Sequence, residues 1–399
     1  MSALTKEDVG AAVACSLGPN YEVLEYHLES FAKQKNGIFG NHQLLTVKVE
    51  SKLVGKAKAC TFFVKSPPES DTIRNDVMDP ETFLEEIHFY KEIQPAMASC
   101  GTKWSPQCYL IKGDVLVFED LRAQGYRARE DLPLDEMDFL RSSLSALARF
   151  HAASIATEAK IGKSLREAYP TAFAEKMYSR TNKFGKCTLV GFETIGLMAK
   201  KLGIGGKDHL IGKMYELGRE SVRYREGRCN VSCHSDLWKN NLLFSETGSA
   251  PKCLLVDFQL LRYASPACDL GMLVYLHTTP AFRRKFEFEL FDHYYSALRD
   301  AVLRSGVGAV VPEYGDLVED YRQLRLIGMI YAALYLPGIY LRPEDFARLL
   351  NDAGELEKWF FADRMTVIGA TMDADPAYEE KIRDILEELF EEARRIFHD

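Results

Sequence analysis

The sequence predicts an α+β chain of two lobes, an N-terminal antiparallel sheet followed by a larger, mostly helical lobe. Three observations predict it. Between Tyr21 and Lys65 apolar and polar residues alternate as in strands, with Leu44, Thr46 and Lys48 on one side and Leu45, Val47 and Val49 on the other. After Gly125 the spacing becomes helical, beginning with Leu140, Leu144, Leu147, Ala148 and His151 on one face. At 399 residues, the chain is also too long for one small core.

The first strand region holds a second short run from Ala59 to Val64, and Ser66-Pro67-Pro68 stops it just after Lys65. Gly37 and Gly40 punctuate the preceding turn. Pro80 then stands at the start of a helix whose apolar positions Phe83, Leu84, Ile87 and Tyr90 recur at helical spacing, and Glu86 lies on it. Val115-Leu-Val-Phe-Glu-Asp-Leu121 reads as a further strand, and Gly125 follows it, a good place for a hinge. Within the helical half one hairpin stands out: Asn241-Leu-Leu-Phe244, a turn through Glu246-Thr-Gly-Ser-Ala-Pro251, then Cys253-Leu-Leu-Val-Asp257. A polar residue sits at each outer end. The segment from Pro376 onward is a strongly charged helix, read as a solvated face.

The formal charge is -8, from 50 Lys+Arg against 58 Asp+Glu, which argues against nucleic acid or acidic lipid as a partner. A local basic pocket for phosphates is compatible with it. Nine cysteines occur without a CxxC pair, several inside apolar runs, as expected of reduced thiols in a cytoplasmic protein and not of a disulfide frame or zinc site. The opening residues are charged and lack an apolar core, so no signal peptide is expected. The uncharged stretch from Leu326 to Leu341 contains Pro337 and is shorter than the ~20 residues that span a bilayer, so a buried helix is expected there and no membrane span.

The decisive segment is His234-Ser-Asp236-Leu-Trp-Lys-Asn-Asn241, a His-x-Asp followed by four residues and Asn, with Asp257-Phe-Gln259 at the far end of the hairpin. Phosphoryl transfer requires a carboxylate that orients the attacking hydroxyl and accepts its proton. It also requires oxygen ligands that hold Mg²⁺ across the nucleotide's phosphates, and the hairpin is suited to bring these groups together.

These residues resemble the superfamily of choline kinases and aminoglycoside phosphotransferases, and within it the insect ecdysteroid-kinase-like proteins. The resemblance is carried in order by Phe62-Phe-Val-Lys-Ser-Pro67, Phe83-Leu-Glu-Glu-Ile-His-Phe-Tyr90, Leu116-Val-Phe-Glu-Asp-Leu121, Arg149-Phe-His-Ala152, Cys233 to Asn241 and Leu255-Val-Asp-Phe-Gln259. It implies a bilobal protein-kinase-like fold, with residues 1–116 as a nucleotide-binding lobe, 117–121 as the hinge and 122–399 as a catalytic and acceptor-binding lobe. It implies ATP and Mg²⁺ as cofactors and a hydroxyl of a small molecule as acceptor. Asp236 corresponds to the catalytic base, with His234 bracing its loop, and Asn241 and Asp257 to the Mg²⁺ ligands. Lys65 corresponds to the lysine on the α/β-phosphates, paired with Glu86. The stretch through Phe118, Glu119, Asp120 and Leu121 corresponds to the one whose backbone faces adenine. Asp269, placed near a helix start by Ser265-Pro266, corresponds to a residue that steadies the catalytic loop.

Two departures from protein-kinase patterns are informative: Ser235 stands where those enzymes carry an Arg, and Gln259 replaces the Gly of Asp-Phe-Gly. Both argue for a small-molecule kinase without phosphorylation-gated activation. The acceptor expected from the resemblance is an ecdysteroid or a hydroxylated xenobiotic. The competing readings are a kinase for choline, ethanolamine or another polar metabolite, and a nucleotide-binding pseudokinase. Lys48 competes with Lys65, Glu85 competes with Glu86, and Gly37 with Gly40 either covers the phosphates or forms a simple hairpin turn. His151 reads as a core histidine, and Tyr331, Tyr335, Tyr340 and Trp359 as core residues before an acceptor pocket.

Overall fold

The computed structural model describes residues 4–31, 40–71, 73–77, 79–98, 103–130, 133–204, 208–248 and 250–398. The chain opens on helix α1 (Lys6–Leu17), whose N-terminus is closed by a capping box between Thr5 and Asp8. Strands β1 (Tyr21–Ser30), β2 (Asn41–Ser51), β3 (Ala57–Ser66), β4 (Cys108–Lys112) and β5 (Val115–Glu119) form an antiparallel sheet in the order β1-β2-β3-β5-β4. Between β3 and β4 lie a π-helical turn Ile73–Val77, then α2 (Pro80–His88), a second π-helical turn Phe89–Ile93 and α3 (Gln94–Ala98).

Alternation along the strands sends neighbouring residues into two different cores. Val115 and Val117 of β5, with Phe62 and Val64 of β3, face α1 and bury its Val9, Ala12 and Val13. Leu116 and Phe118 face the other way and join Phe83, Phe89 and Tyr90 in the large core shared with the helical lobe. A one-residue slip of β5 would exchange these faces. The strand runs to Glu119, so the chain leaves the sheet at Asp120, within the span predicted as a hinge.

The helical lobe contains β6 (Tyr126–Ala128), α4 (Met137–Ile161), α5 (Leu165–Ala168), α6 (Lys183–Lys201), α7 (Asp208–Ser221), β7 (Val231–Cys233), β8 (Leu242–Ser245), β9 (Lys252–Leu255) and β10 (Arg262–Ala264). It continues through α8 (Pro266–His277), α9 (Pro280–Arg304), α10 (Tyr314–Ile339), α11 (Pro343–Asn351), α12 (Ala353–Phe361), α13 (Met365–Ala374) and α14 (Pro376–Phe397). The expected hairpin is β8 paired with β9, and β10 pairs with β7. The apolar run from Leu326 falls in α10, where Leu326, Ile327, Ile330 and Ala333 are buried. Helices α8 and α10 approach so closely that a Cβ on Gly328 would stand 2.8 Å from the Gly271 carbonyl oxygen. Among the described residues no single helix is long and apolar enough to cross a membrane.

The C-terminal helix corrects the reading of that segment as a solvated face. Its Tyr378, Ile382, Leu386, Leu389 and Ala393 belong to the main core, and only its other side meets water.

Candidate active site

Two loops converge where β7 ends and β9 ends. The first starts at His234, and its backbone is held by one carboxylate: Asp269 Oδ2 accepts the His234 N–H at 2.6 Å and Oδ1 accepts the Ser235 N–H at 2.9 Å. Asp269 lies in the first turn of α8, placed there by Ser265 as N-cap and Pro266 as first helical residue. Its Oδ2 also meets His151 Nε2 at 3.2 Å, and the other ring nitrogen of His151 meets the Tyr294 hydroxyl at 2.7 Å. Burial opposes ionisation of Asp269, but His151 and the backbone donors outweigh it and hold its pKa below the ordinary value. His151, Cys233 and Asp269 offer three donor atoms within 4.8 Å of one another, all buried. The Cys233 thiol donates to the Ser265 carbonyl at 3.5 Å, so the cluster is a hydrogen-bonded brace.

Replacing Asp269 with Asn removes one of two acceptors for these backbone donors. We expect a loss of about 1–3 kcal/mol, read as a lower urea midpoint at unchanged slope.

The brace permits an uncommon backbone. Ser235 has φ 64° and Asp257 has φ 72°, both in the left-handed region without being glycine. Such residues cost on the order of 1–3 kcal/mol each and persist where the surroundings over-determine them. His234 contributes by being neutral: burial lowers its pKa, its Nδ1 accepts the Asp236 N–H at 3.3 Å, and its Nε2–H donates to the Val256 carbonyl at 2.9 Å. That last bond ties the first loop to the residue before Asp257. The Val256 N–H donates to the Asn241 carbonyl at 3.1 Å, closing the connection.

Asp257 is fixed from behind by Phe258, which is fully buried and stacks on Phe89 at 4.4 Å, with Trp104, Phe150 and His234 around it. Lys65 Nζ donates to Asp257 Oδ1 at 2.8 Å and to Glu86 Oε2 at 2.5 Å. Gln259, the departure from Asp-Phe-Gly, donates its amide to the same Asp257 oxygen. Burial favours uncharged Lys65, but Asp257 and Glu86 outweigh it and hold its pKa above the ordinary value. Burial raises the pKa of Asp257 as well, and Lys65 more than reverses it, whereas Glu86 ends above its ordinary value because burial prevails.

Asp236 is the strongly shifted carboxyl. Burial first, and the negative charge of Asp257 second, push its pKa up to about 8. Asn241 Nδ2 donates to Asp236 Oδ2 at 2.9 Å and to its backbone carbonyl at 2.8 Å. With its amide nitrogen so occupied, Asn241 keeps its side-chain carbonyl oxygen in reserve, and among the described residues no hydrogen bond engages Asp257 Oδ2. Two hard oxygens of this kind fit Mg²⁺.

The rival residues separate cleanly. Lys48 pairs with Glu25 at 3.0 Å on the surface, and Glu85 pairs with Lys176, away from Lys65. Gly40 precedes β2, and a Cβ there would stand 2.8 Å from the His42 ring and 3.3 Å from Lys65 Cε, so the backbone closely approaches the lysine. Gly37 lies outside the described residues. In the predicted adenine-facing stretch, Glu119 donates its N–H to the Gln107 carbonyl at 3.0 Å, and Asp120 Oδ2 accepts from Thr61 Oγ1 at 2.7 Å. The Leu121 carbonyl accepts from the N–H groups of Gln124 and Tyr126. Phe118 borders the partly exposed ring of Phe63 at 6.2 Å, next to Phe31 and His42.

Tyr331 is core, as expected, while its hydroxyl accepts from Arg262 at 3.0 Å. Tyr335 is half-buried, and burial followed by the Asp236 charge keeps its hydroxyl protonated. Sequence reasoning passed over Arg262 and His42. The signal for Arg262 was a lone charge inside Leu260-Leu-Arg-Tyr-Ala264.

A family model described as ecdysteroid kinase-like matches residues 42–306, more than half of the chain. The chain belongs to the ecdysteroid kinase-like family. The matched span of this ecdysteroid kinase-like protein contains Lys65, Glu86, His234, Asp236, Asn241, Asp257 and Asp269. As a member it is a small-molecule kinase, a phosphotransferase with an alcohol group as acceptor. It is similar to a solved Plasmodium vivax ethanolamine kinase at 12% identity and TM-score 0.46, covering 94% of this chain and 88% of the other. It is also similar to a choline kinase from Streptococcus pneumoniae at 12% identity and TM-score 0.38, covering 96% and 99%. The microcompartment-associated aminopropanol kinase is similar at 13% identity and TM-score 0.42, covering 92% and 97%. A comparison with curated proteins found no match.

Proposed function

We propose that the ecdysteroid kinase-like chain transfers the γ-phosphoryl group of ATP to a hydroxyl of a lipophilic small molecule, an ecdysteroid or a hydroxylated xenobiotic. The observation that carries this reading is the convergence at one site of a buried lysine held by Glu86 and Asp257 with a high-pKa carboxyl held by Asn241.

Asp236 receives the acceptor hydroxyl. In its ionised form it takes the hydroxyl proton as the oxygen forms its bond to the γ-phosphorus and the bond to the ADP oxygen breaks. Lys65 carries three N–H donors, of which Glu86 and Asp257 occupy two, so one remains for a phosphate oxygen. Asn241 and Asp257 would hold Mg²⁺, which when bound supplies charge neutralisation on the phosphates. Phe63, with Phe118 behind it, offers a surface for adenine to pack on, beside the backbone of Glu119 to Leu121.

Arg262 is a further group whose charge bears on Asp236, and a buried guanidinium there does not favour a cationic acceptor such as choline. A phosphorylated acceptor would be charged and less membrane-permeable, which suits hormone storage or detoxification. The described cysteines all carry free thiols, which supports a cytoplasmic setting.

The test is transfer from γ-labelled ATP and Mg²⁺ to ecdysteroids, hydroxylated xenobiotics, choline and ethanolamine in parallel. Label on a lipophilic alcohol supports the reading, label on choline or ethanolamine replaces it, and nucleotide binding without transfer to any acceptor returns the pseudokinase. In the same assay Lys65→Met is expected to raise the KM for ATP or lower turnover by about tenfold or more, and Lys48→Met to change neither. An effect from Lys48→Met alone would misplace the nucleotide.

A further inference from the structure

Helix α2 presents Glu86 to Lys65, and its other side is gripped by a segment of the helical lobe. Glu85 pairs with the Lys176 ammonium, and His88 sets its ring edge-on to Tyr169 with centroids 6.4 Å apart. Positions three apart share one side of a helix, whereas Glu86 is turned from Glu85 by about 100°. Lys176 is 6% exposed and Glu86 1%. The residue before Lys176 reaches the opposite way: Glu175 Oε2 accepts from Arg262 Nε at 3.0 Å, while its Oε1 accepts the Tyr178 N–H at 3.0 Å. Arg262 sits in β10 opposite Cys233, directly before His234, and binds Tyr331. Two consecutive residues of opposite charge therefore join α2 to the strand that follows Asp257.

This matters because α2, which carries Glu86, opens a helical run that continues through Phe89–Ile93 into α3. Tertiary contacts decide its rotation: Phe83, Phe89 and Tyr90 seat one side in the main core, and the pair of Glu85 with Lys176 holds another. Asp79 and Pro80 fix where it starts but not which side faces the cleft. The buried pair of Lys65 with Glu86 forms only at the correct rotation, since the cost of desolvating both ions is recovered only with good geometry.

We propose that residues 169–178 form a positioning clamp, in which Lys176 fixes the rotation of α2 that brings Glu86 to Lys65 and Glu175 anchors the clamp to β10. The proposal rests on the reading of Lys65 as the nucleotide's lysine. Neither Glu175 nor Lys176 touches Lys65, and both act through α2 and β10.

The test is a double-mutant cycle on MgATP affinity, measured calorimetrically for the full chain as wild type, Lys176→Met, Glu86→Gln and the double variant. Each single change is expected to weaken binding by about tenfold, and the double variant to bind no more weakly than Glu86→Gln alone, because the lysine works through that glutamate. Lys176→Arg should restore most of the affinity. Multiplied effects in the double variant, or unchanged affinity in Lys176→Met, would overturn the clamp, since a merely structural lysine is insensitive to the state of Glu86. If Lys176→Met does not fold, Glu85→Gln removes the same pair at constant volume and is read in the same cycle. Wild type that fails to bind MgATP would sink the nucleotide reading itself, and the clamp's purpose with it, before any variant is compared.

Discussion

Asp236→Asn is expected to cut phosphoryl transfer by about 10²–10⁴-fold with MgATP affinity retained, and at the same time to make the nucleotide-free protein more stable. The loss follows from removing the proposed proton acceptor while leaving Lys65, Glu86 and Asp257 in place. Asn at 236 still offers an oxygen to the Asn241 amide, so the loop keeps its geometry. The gain in stability follows from the carboxyl's position near Asp257 in a buried setting, which raises its pKa to about 8. In the unfolded chain it titrates near its ordinary value of about 4. Between those two pH values the folded state keeps a proton that the unfolded state has released, so wild-type stability falls as pH rises through this window. The variant has no such group, so its advantage in melting temperature grows from about pH 4 to about pH 8. Near-normal turnover would mean that another group takes the proton, and a lower melting temperature at pH 8 would mean that the carboxylate is better solvated than its surroundings indicate.

Asp257→Asn is expected to weaken the magnesium-dependent part of ATP binding and to lower turnover by roughly 10³-fold. Asp257 Oδ1 is committed to Lys65 and Gln259, which leaves the other oxygen for the proposed cation. With Asn in its place Lys65 retains Glu86, so ATP without metal should bind as in the wild type. Titrations with magnesium and with a chelator separate the two contributions. Equal weakening in both media would show that Asp257 serves the lysine and not the cation.

Much of this arrangement is legible in the sequence because the signals are local. The Pro67-Pro68 stop and the alternation before it place Lys65 at a strand end, and helical phase from Phe83 turns Glu86 inward while Glu85 points elsewhere. The hairpin from Asn241 to Asp257 announces itself by its turn-rich centre, and Ser265-Pro266 announces the helix start that holds Asp269. What escaped depends on distant partners. The apolar stripe of α14 is masked by the charges interleaved with it, so composition reads as solvated where spacing does not. Nothing local says that α1 will cover the back of the sheet, that Lys176 will meet Glu85, or that Arg262 will find Glu175 and Tyr331. Those pairings are set by the packing of the lobes.

The most direct measurement is a structure of the protein with magnesium and a non-hydrolysable ATP analogue. The account predicts the metal bound by the Asn241 side-chain oxygen and the Asp257 carboxylate, Lys65 on the α/β-phosphates, and the γ-phosphate facing Asp236. A nucleotide seated elsewhere, or a metal that touches neither Asn241 nor Asp257, would contradict it.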